Sequence, residues 1–187
     1  MRKTISSLLA LLIMLIASAP VSAEPNFSCA EVTDVPQTEC QALVALYNST
    51  DGSLWLDSTN WLTGTSVAEW VGVSVDNGYV AGLNLNNNQL KGTIPAELGD
   101  LTQLTYLNLS ENQLSGEIPS TLVNVTDLFQ LLLSNNQLSG TIPIGLTSLS
   151  NLHWLNLDNN QLTSLPVEIG NLTRLRKLYL TNNQLTS

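Results

Sequence analysis

The sequence predicts a right-handed α/β solenoid with a concave parallel β-sheet and an N-terminal helix-plus-hairpin cap. Three features point to it. Asparagines recur at Asn88, Asn112, Asn136, Asn160 and Asn183, at intervals of 24, 24, 24 and 23 residues, within LNLNNNQL, LNLSENQL, LLLSNNQL, LNLDNNQL and LYLTNNQL. A fixed period of this length marks stacked structural units. Leucines before each Asn alternate with polar residues, as in a short strand buried on one face. A segment of different composition precedes the repeats and carries both cysteines and three of the four tryptophans.

Residues 1–23 read as a secretory signal. Arg2 and Lys3 form a positive start, Leu8 to Ala17 is an unbroken apolar run of ten, and Val21-Ser22-Ala23 offers the small residues of a cleavage site. A membrane span needs about 20 apolar residues, and Ser18 and Pro20 stop this run. A lipoprotein anchor needs a Cys directly after cleavage, whereas the first is Cys29. The expected product is exported and soluble, secreted or at the cell surface, without a transmembrane segment.

Residues 24–79 are expected to form the cap. Cys29 and Cys40 are an even pair in an exported chain and read as a disulfide. So short a loop stabilises by roughly 3 kcal/mol in the entropy account. A metal site is the rival reading, but two cysteines and the distant His153 supply poor ligand spacing. Thr38-Glu39-Cys40-Gln41 has a capping-box pattern, with Thr38 as N-cap, ahead of a short helix through Ala42, Leu43, Ala45, Leu46 and Tyr47 that Asn48 to Asp51 break. Trp55, Trp61 and Trp70 suit either a carbohydrate platform or a core; a solenoid's first unit needs an apolar lid, which favours core. Val71–Val75, Asp76-Asn77-Gly78 and Tyr79–Leu85 predict a hairpin leading into the first repeat strand.

The repeats divide as 80–103, 104–127, 128–151, 152–174 and a partial 175–187. In the second, Leu107 and Leu109 point inward from a strand and Asn112 satisfies backbone groups where the chain turns. Gly116 permits a tight bend and Pro119 blocks continuation of a ladder. Leu122 and Val125, three apart, suit a helical or 3₁₀ return. One unit cannot bury its leucines alone; stacked units form a continuous parallel sheet with a leucine core. The fifth unit stops at Ser187, straight after its Asn, so Leu178, Leu180 and Leu185 are expected to meet further repeats or a capping segment beyond that residue.

These units resemble leucine-rich repeats of the plant type, with the signature L-x-G-x-I-P. It reads Leu90-Lys91-Gly92-Thr93-Ile94-Pro95, Leu114-Ser115-Gly116-Glu117-Ile118-Pro119 and Leu138-Ser139-Gly140-Thr141-Ile142-Pro143. The fourth unit, Leu162-Thr163-Ser164-Leu165-Pro166, has lost the Gly and one residue. Similar repeats occur in plant receptor ectodomains, plant inhibitors of pathogen enzymes and bacterial surface proteins. The cap also resembles the one preceding plant-type repeats, where the resemblance implies a second Cys pair; here Ala68 and Val75 occupy those places.

Composition narrows the function. Removal of Arg2 and Lys3 leaves four basic residues against 15 acidic ones. Such a surface repels phosphate backbones, so no nucleic-acid partner is expected. Arg174, Arg176 and Lys177 cluster as a solvated rim. There is no G-x-S-x-G, H-E-x-x-H or Gly-rich phosphate loop. Ser134, His153 and Asp158 make a triad only on paper, and Asp158-Asn159-Asn160 is repeat consensus before it is a calcium site. No catalysis, cofactor or metal is expected. Sequons stand at Asn26, Asn48, Asn108, Asn124 and Asn171.

The residues between the strand leucines face away from the core and line the concave side. They form three columns: Gly82, Tyr106, Gln130, Trp154, Lys177; Asn84, Asn108, Leu132, Asn156, Tyr179; and Asn86, Ser110, Ser134, Asp158, Thr181. Tyr106, Leu132, Trp154 and Tyr179 are not what solubility alone would place there. They read as scattered surface residues or as a contact patch, with Asn108, Gln130, Asn156, Asp158 and Lys177 beside them. The expected function is an exported recognition module for a protein, peptide or glycan. The alternative is a passive spacer or adhesion segment of a longer surface protein.

Overall fold

The computed structural model describes residues 27–186, so the signal segment lies outside the described residues. Among the described residues, ten strands and one α-helix follow in chain order. They are α1 (Gln37–Ser49), β1 (Val73–Asp76), β2 (Tyr79–Asn84), β3 (Lys91–Thr93), β4 (Tyr106–Asn108), β5 (Gln113–Gly116), β6 (Gln130–Leu132), β7 (Gln137–Thr141), β8 (Trp154–Asn156), β9 (Gln161–Ser164) and β10 (Lys177–Tyr179). Short 3₁₀ turns at Ala96–Asp100, Ser120–Asn124, Ile144–Ser148 and Val167–Asn171 return the chain between repeats.

The principal sheet runs β1-β2-β4-β6-β8-β10. Its first pair is antiparallel and the rest are parallel. Asn77 and Gly78, both at positive φ, make the two-residue turn that sets the hairpin. A second sheet, β3-β5-β7-β9, lies beyond each Asn; its short polar segments, rich in Gln, Ser, Thr and Gly, carry little strand propensity, and backbone pairing between stacked copies creates it. Leu104, Leu107, Leu109, Leu114, Ile118, Leu122 and Val125 of one unit are all buried, in the core that runs the length of the solenoid.

The asparagine ladder connects the units. Asn112 Oδ1 accepts the N–H groups of Asn88 and Leu90 at 3.0 Å, and Nδ2 donates to the carbonyls of Leu85, Leu109 and Ser110. Asn136, Asn160 and Asn183 each reach back in the same way, to Leu114, Leu138 and Leu162. Asn88 has no earlier repeat and grips the cap instead: it accepts from Asp57 N–H at 2.7 Å and donates to Asp57 O at 2.9 Å. Buried polar backbone at each inward turn is thereby paired.

Cys29 and Cys40 are joined in a disulfide that ties the chain start to α1. The helix begins differently from the capping-box expectation. Pro36 precedes it with no side-chain cap, and the Pro36 carbonyl accepts from Glu39 and Cys40 N–H. Thr38 sits within the first turn, because the proline's fixed φ presets the entry two residues earlier. Trp55, Trp61 and Trp70 pack inward and donate their indole N–H groups to the carbonyls of Thr50, Val71 and Thr63. Tyr47, Trp55, Trp61, Trp70 and Phe27 form a chain of ring contacts at 4.8–5.3 Å between successive centroids. Asp34 supplies a polar staple near Ala68: its carboxylate accepts from Ser66 Oγ, Val67 N–H and Ala68 N–H at 2.8–3.1 Å. Gly92, at φ +132°, sits where the cap meets the repeats. A Cβ there would lie 2.0 Å from the Ser49 carbonyl oxygen, so only glycine fits.

Candidate functional site: the concave sheet and its rim

Parallel pairing places the variable strand residues in straight columns. Gly82, Tyr106, Gln130, Trp154 and Lys177 are register partners across successive strands, as are Asn84, Asn108, Leu132, Asn156 and Tyr179. Tyr106, Leu132 and Trp154 are half-buried; Lys177 and Tyr179 are exposed on the last strand. Trp154 is the centre of the group. Lys177 Nζ lies 4.2 Å over its ring, and Tyr179 stands at a centroid distance of 6.4 Å. Among the described residues, the Trp154 Nε1–H is the buried side-chain polar atom left without a hydrogen bond.

The second column has a structural habit that Leu132 breaks. Asn84 Oδ1 accepts Asn86 N–H, Asn108 Oδ1 accepts Ser110 N–H, and Asn156 Oδ1 accepts Asp158 N–H, each closing a small turn at the strand end. Asn108 also donates to the Tyr106 hydroxyl at 3.0 Å. Leu132, between Asn108 and Asn156 in register, has no side-chain acceptor to close that turn. The repeat gives up a favourable bond there for an apolar surface.

The remaining sequence-derived candidates separate. Ser134 Oγ donates to Ser110 Oγ, His153 Nδ1 contacts the Asn151 carbonyl, and Asp158 Oδ1 accepts Thr181 N–H. Each of the three paper-triad residues is thus engaged with another partner. Among the described residues no group of three or more His, Cys, Asp or Glu side chains is placed to hold a metal ion, and no helix is long and apolar enough to cross a membrane.

Sequence reasoning missed a second cluster on the rim just before the strands. Phe129 and His153 stack with centroids 4.2 Å apart and planes 21° apart. Next to them, Arg174 Nη1 donates to Asn151 Oδ1 at 2.6 Å, and Asn151 Nδ2 donates to Asp127 Oδ1 at 3.3 Å. These residues line a depression of 470 Å³ together with Thr105, Tyr106 and Gln130. A neighbouring depression of 410 Å³ shares Thr105 and Asp127 and extends to Tyr79 and Asp76. The usable signal was an aromatic in the position that Thr105, His153 and Arg176 occupy in other repeats.

A solenoid of stacked units with a variable concave sheet defines a repeat-type binding scaffold. The chain belongs to the leucine-rich repeat family: family models described as "Leucine rich repeat" and "Leucine Rich repeats (2 copies)" match residues 79–138 and 150–187. It resembles plant receptor ectodomains of that family. The BIR2 ectodomain from Arabidopsis thaliana is 37% identical, with 83% of this chain and 84% of that one covered and a TM-score of 0.73. The BIR3–SERK2 complex from Arabidopsis thaliana aligns at 34% identity, covering 81% and 84%, with a TM-score of 0.70. The PEPR1–AtPEP1 structure aligns at 34% identity with a TM-score of 0.74; 80% of this chain spans only 22% of that one. A comparison with curated proteins yields no match.

Proposed function

We propose that this protein is an exported, non-catalytic recognition module whose concave sheet binds an extended peptide or a protein segment. The observation that carries the reading is Leu132. It stands where Asn108 and Asn156 close turns in the flanking strands, and so forgoes that hydrogen bond. It also completes an apolar strip with Tyr106, Trp154 and Tyr179. Neighbouring strands lie about 4.8 Å apart, which puts Tyr106 and Trp154 roughly 10 Å from each other. The rings supply area, while Asn108, Gln130, Asn156, Asp158 and Lys177 fix register. The disulfide and the similarity to receptor ectodomains support an extracellular setting, reached after removal of residues 1–23. Two of the similar structures hold two named partners each, PEPR1 with AtPEP1 and BIR3 in complex with SERK2.

The test is selection of a displayed random peptide library on the wild-type protein, followed by titration against Trp154→Ala. The expected loss is about 30-fold, the equivalent of a hot spot of about 2 kcal/mol. Peptides that bind the variant with unchanged affinity would move the site off the concave sheet and favour the spacer role.

A further inference from the structure

We infer that the rim depression built on Phe129 is a subsite for a neutral sugar ring of a glycan chain. Two ladders run side by side there. The aromatic one is Phe129 on His153. His153 covers one face of the Phe129 ring, and 44% of the residue stays exposed above the depression, beside Thr105. The ring is therefore a fixed apolar platform, the surface on which the C–H face of a pyranose stacks. The polar ladder is Arg174–Asn151–Asp127. Its hydrogen bonds pin the Asn151 amide at both ends, and Asn151 Nδ2 also reaches the Thr126 carbonyl at 3.2 Å.

The chain of bonds leaves planar groups with capacity to spare. Arg174 has five N–H donors and uses one in the ladder; Asp127 accepts one of about four possible bonds there. Donors and acceptors thus stand beside an aromatic face, which is what a ring of hydroxyl groups on an apolar skeleton requires. The positive and negative ends of the ladder offset each other, so the subsite suits an uncharged ligand better than a phosphate or an acidic sugar.

Backbone pairing decides against a peptide strand at this place. A strand added to a sheet takes its affinity from free main-chain groups. Here the Thr105 carbonyl already accepts Phe129 and Gln130 N–H, the Phe129 carbonyl accepts His153 and Trp154 N–H, and the His153 carbonyl accepts Arg176 and Lys177 N–H. These three carbonyls are already engaged, so recognition falls mainly to the side chains lining the depression. The subsite adjoins the concave strip and shares Tyr106 and Gln130 with it, but Trp154 is not among its lining residues.

The experiment is calorimetric titration of the full chain with cellohexaose, xylohexaose, laminarihexaose, mannohexaose and chitohexaose. The expected result is saturable binding of at least one of them, weakened roughly tenfold or more by Phe129→Ala and by Arg174→Ala, with Trp154→Ala within about twofold of wild type. Thr105→Trp, which fills the depression from an exposed position, is expected to abolish binding while the thermal transition stays in place. Failure of all five sugars at millimolar concentration would overturn the inference. So would binding that survives Phe129→Ala, binding that depends on Trp154 instead, or Phe129-dependent capture of library peptides in place of sugars. Loss of peptide binding in Trp154→Ala with sugar binding intact leaves both sites standing as distinct.

Discussion

Lys177 Nζ lies 4.2 Å above the ring of Trp154, its register partner on the adjacent strand. At an exposed position such a contact is worth about 0.5–1 kcal/mol. It shields the one tryptophan outside the cap core. Lys177→Ala is expected to change unfolding free energy by no more than about 1 kcal/mol, while acrylamide quenching of tryptophan fluorescence increases. Trp154→Phe in the same background removes the quenchable component.

Asn112 is the most heavily bonded member of the ladder. Replacing it with Ala leaves the buried Asn88 and Leu90 N–H groups without an acceptor. Each orphaned group costs about 1–3 kcal/mol, so Asn112→Ala is expected to destabilise by about 3 kcal/mol or more in urea unfolding. Asn183→Ala is expected to cost about 1 kcal/mol, because Asn183 accepts from Leu162 N–H alone and is partly exposed.

The residue before each ladder Asn is in the left-handed region: Asn87, Asn135, Asn159 and Asn182, but Glu111 in the second unit, all at φ between 51° and 58°. Asn tolerates this region better than Glu. Side-chain bonds already join Asn182 to Asn159 and Asn159 to Asn135. Glu111→Asn extends that row by one unit and is expected to stabilise by about 0.5–1 kcal/mol, measured as a rise in Tm.

Two carboxyl groups in the cap give opposite pH dependences. Burial pushes Glu39 above its ordinary value of 4.5, although the Val80 N–H donates to it at 2.7 Å. A raised folded value means that its contribution to stability is present below 4.5 and is lost as pH rises through the folded value. Burial also acts to raise Asp34, but donors from Ala68, Ser66 and Val67 outweigh it and hold the group below 3.8. Its contribution is present above 3.8 and is lost as pH falls through the folded value. Glu39→Gln keeps an acceptor for Val80 and removes the buried charge, so the decline in Tm above pH 4.5 is expected to flatten. Asp34→Asn is expected to cost about 1–2 kcal/mol at neutral pH and to remove part of the acid-side slope.

Much of this architecture was legible because it repeats. The Asn ladder, the buried leucines and the straight concave columns follow from a period that any single unit would obscure. What escaped the sequence has physical reasons. Asp34 meets Ala68 through a separation of 34 residues, with no local pattern to announce it. Thr38 matched a capping box, but the preceding Pro36 had already set the helix start. The second sheet arises from stacking of segments with weak strand propensity of their own. Phe129 and His153 occupy positions that read as spacers between leucines, and only their placement 4.2 Å apart makes them a platform.

The central claim rests most directly on Leu132, and one pair of measurements on Leu132→Asn tests it. Asn restores the turn-closing acceptor that Asn108 and Asn156 provide in the flanking strands. Unfolding free energy and affinity for a peptide selected on the wild-type protein are measured on the same variant. The account predicts stability within about 0.5 kcal/mol of wild type, or higher, and affinity lower by roughly tenfold or more. A loss of about 2 kcal/mol in stability with unchanged affinity would contradict it, and would make Leu132 a packing residue instead of part of the recognition surface.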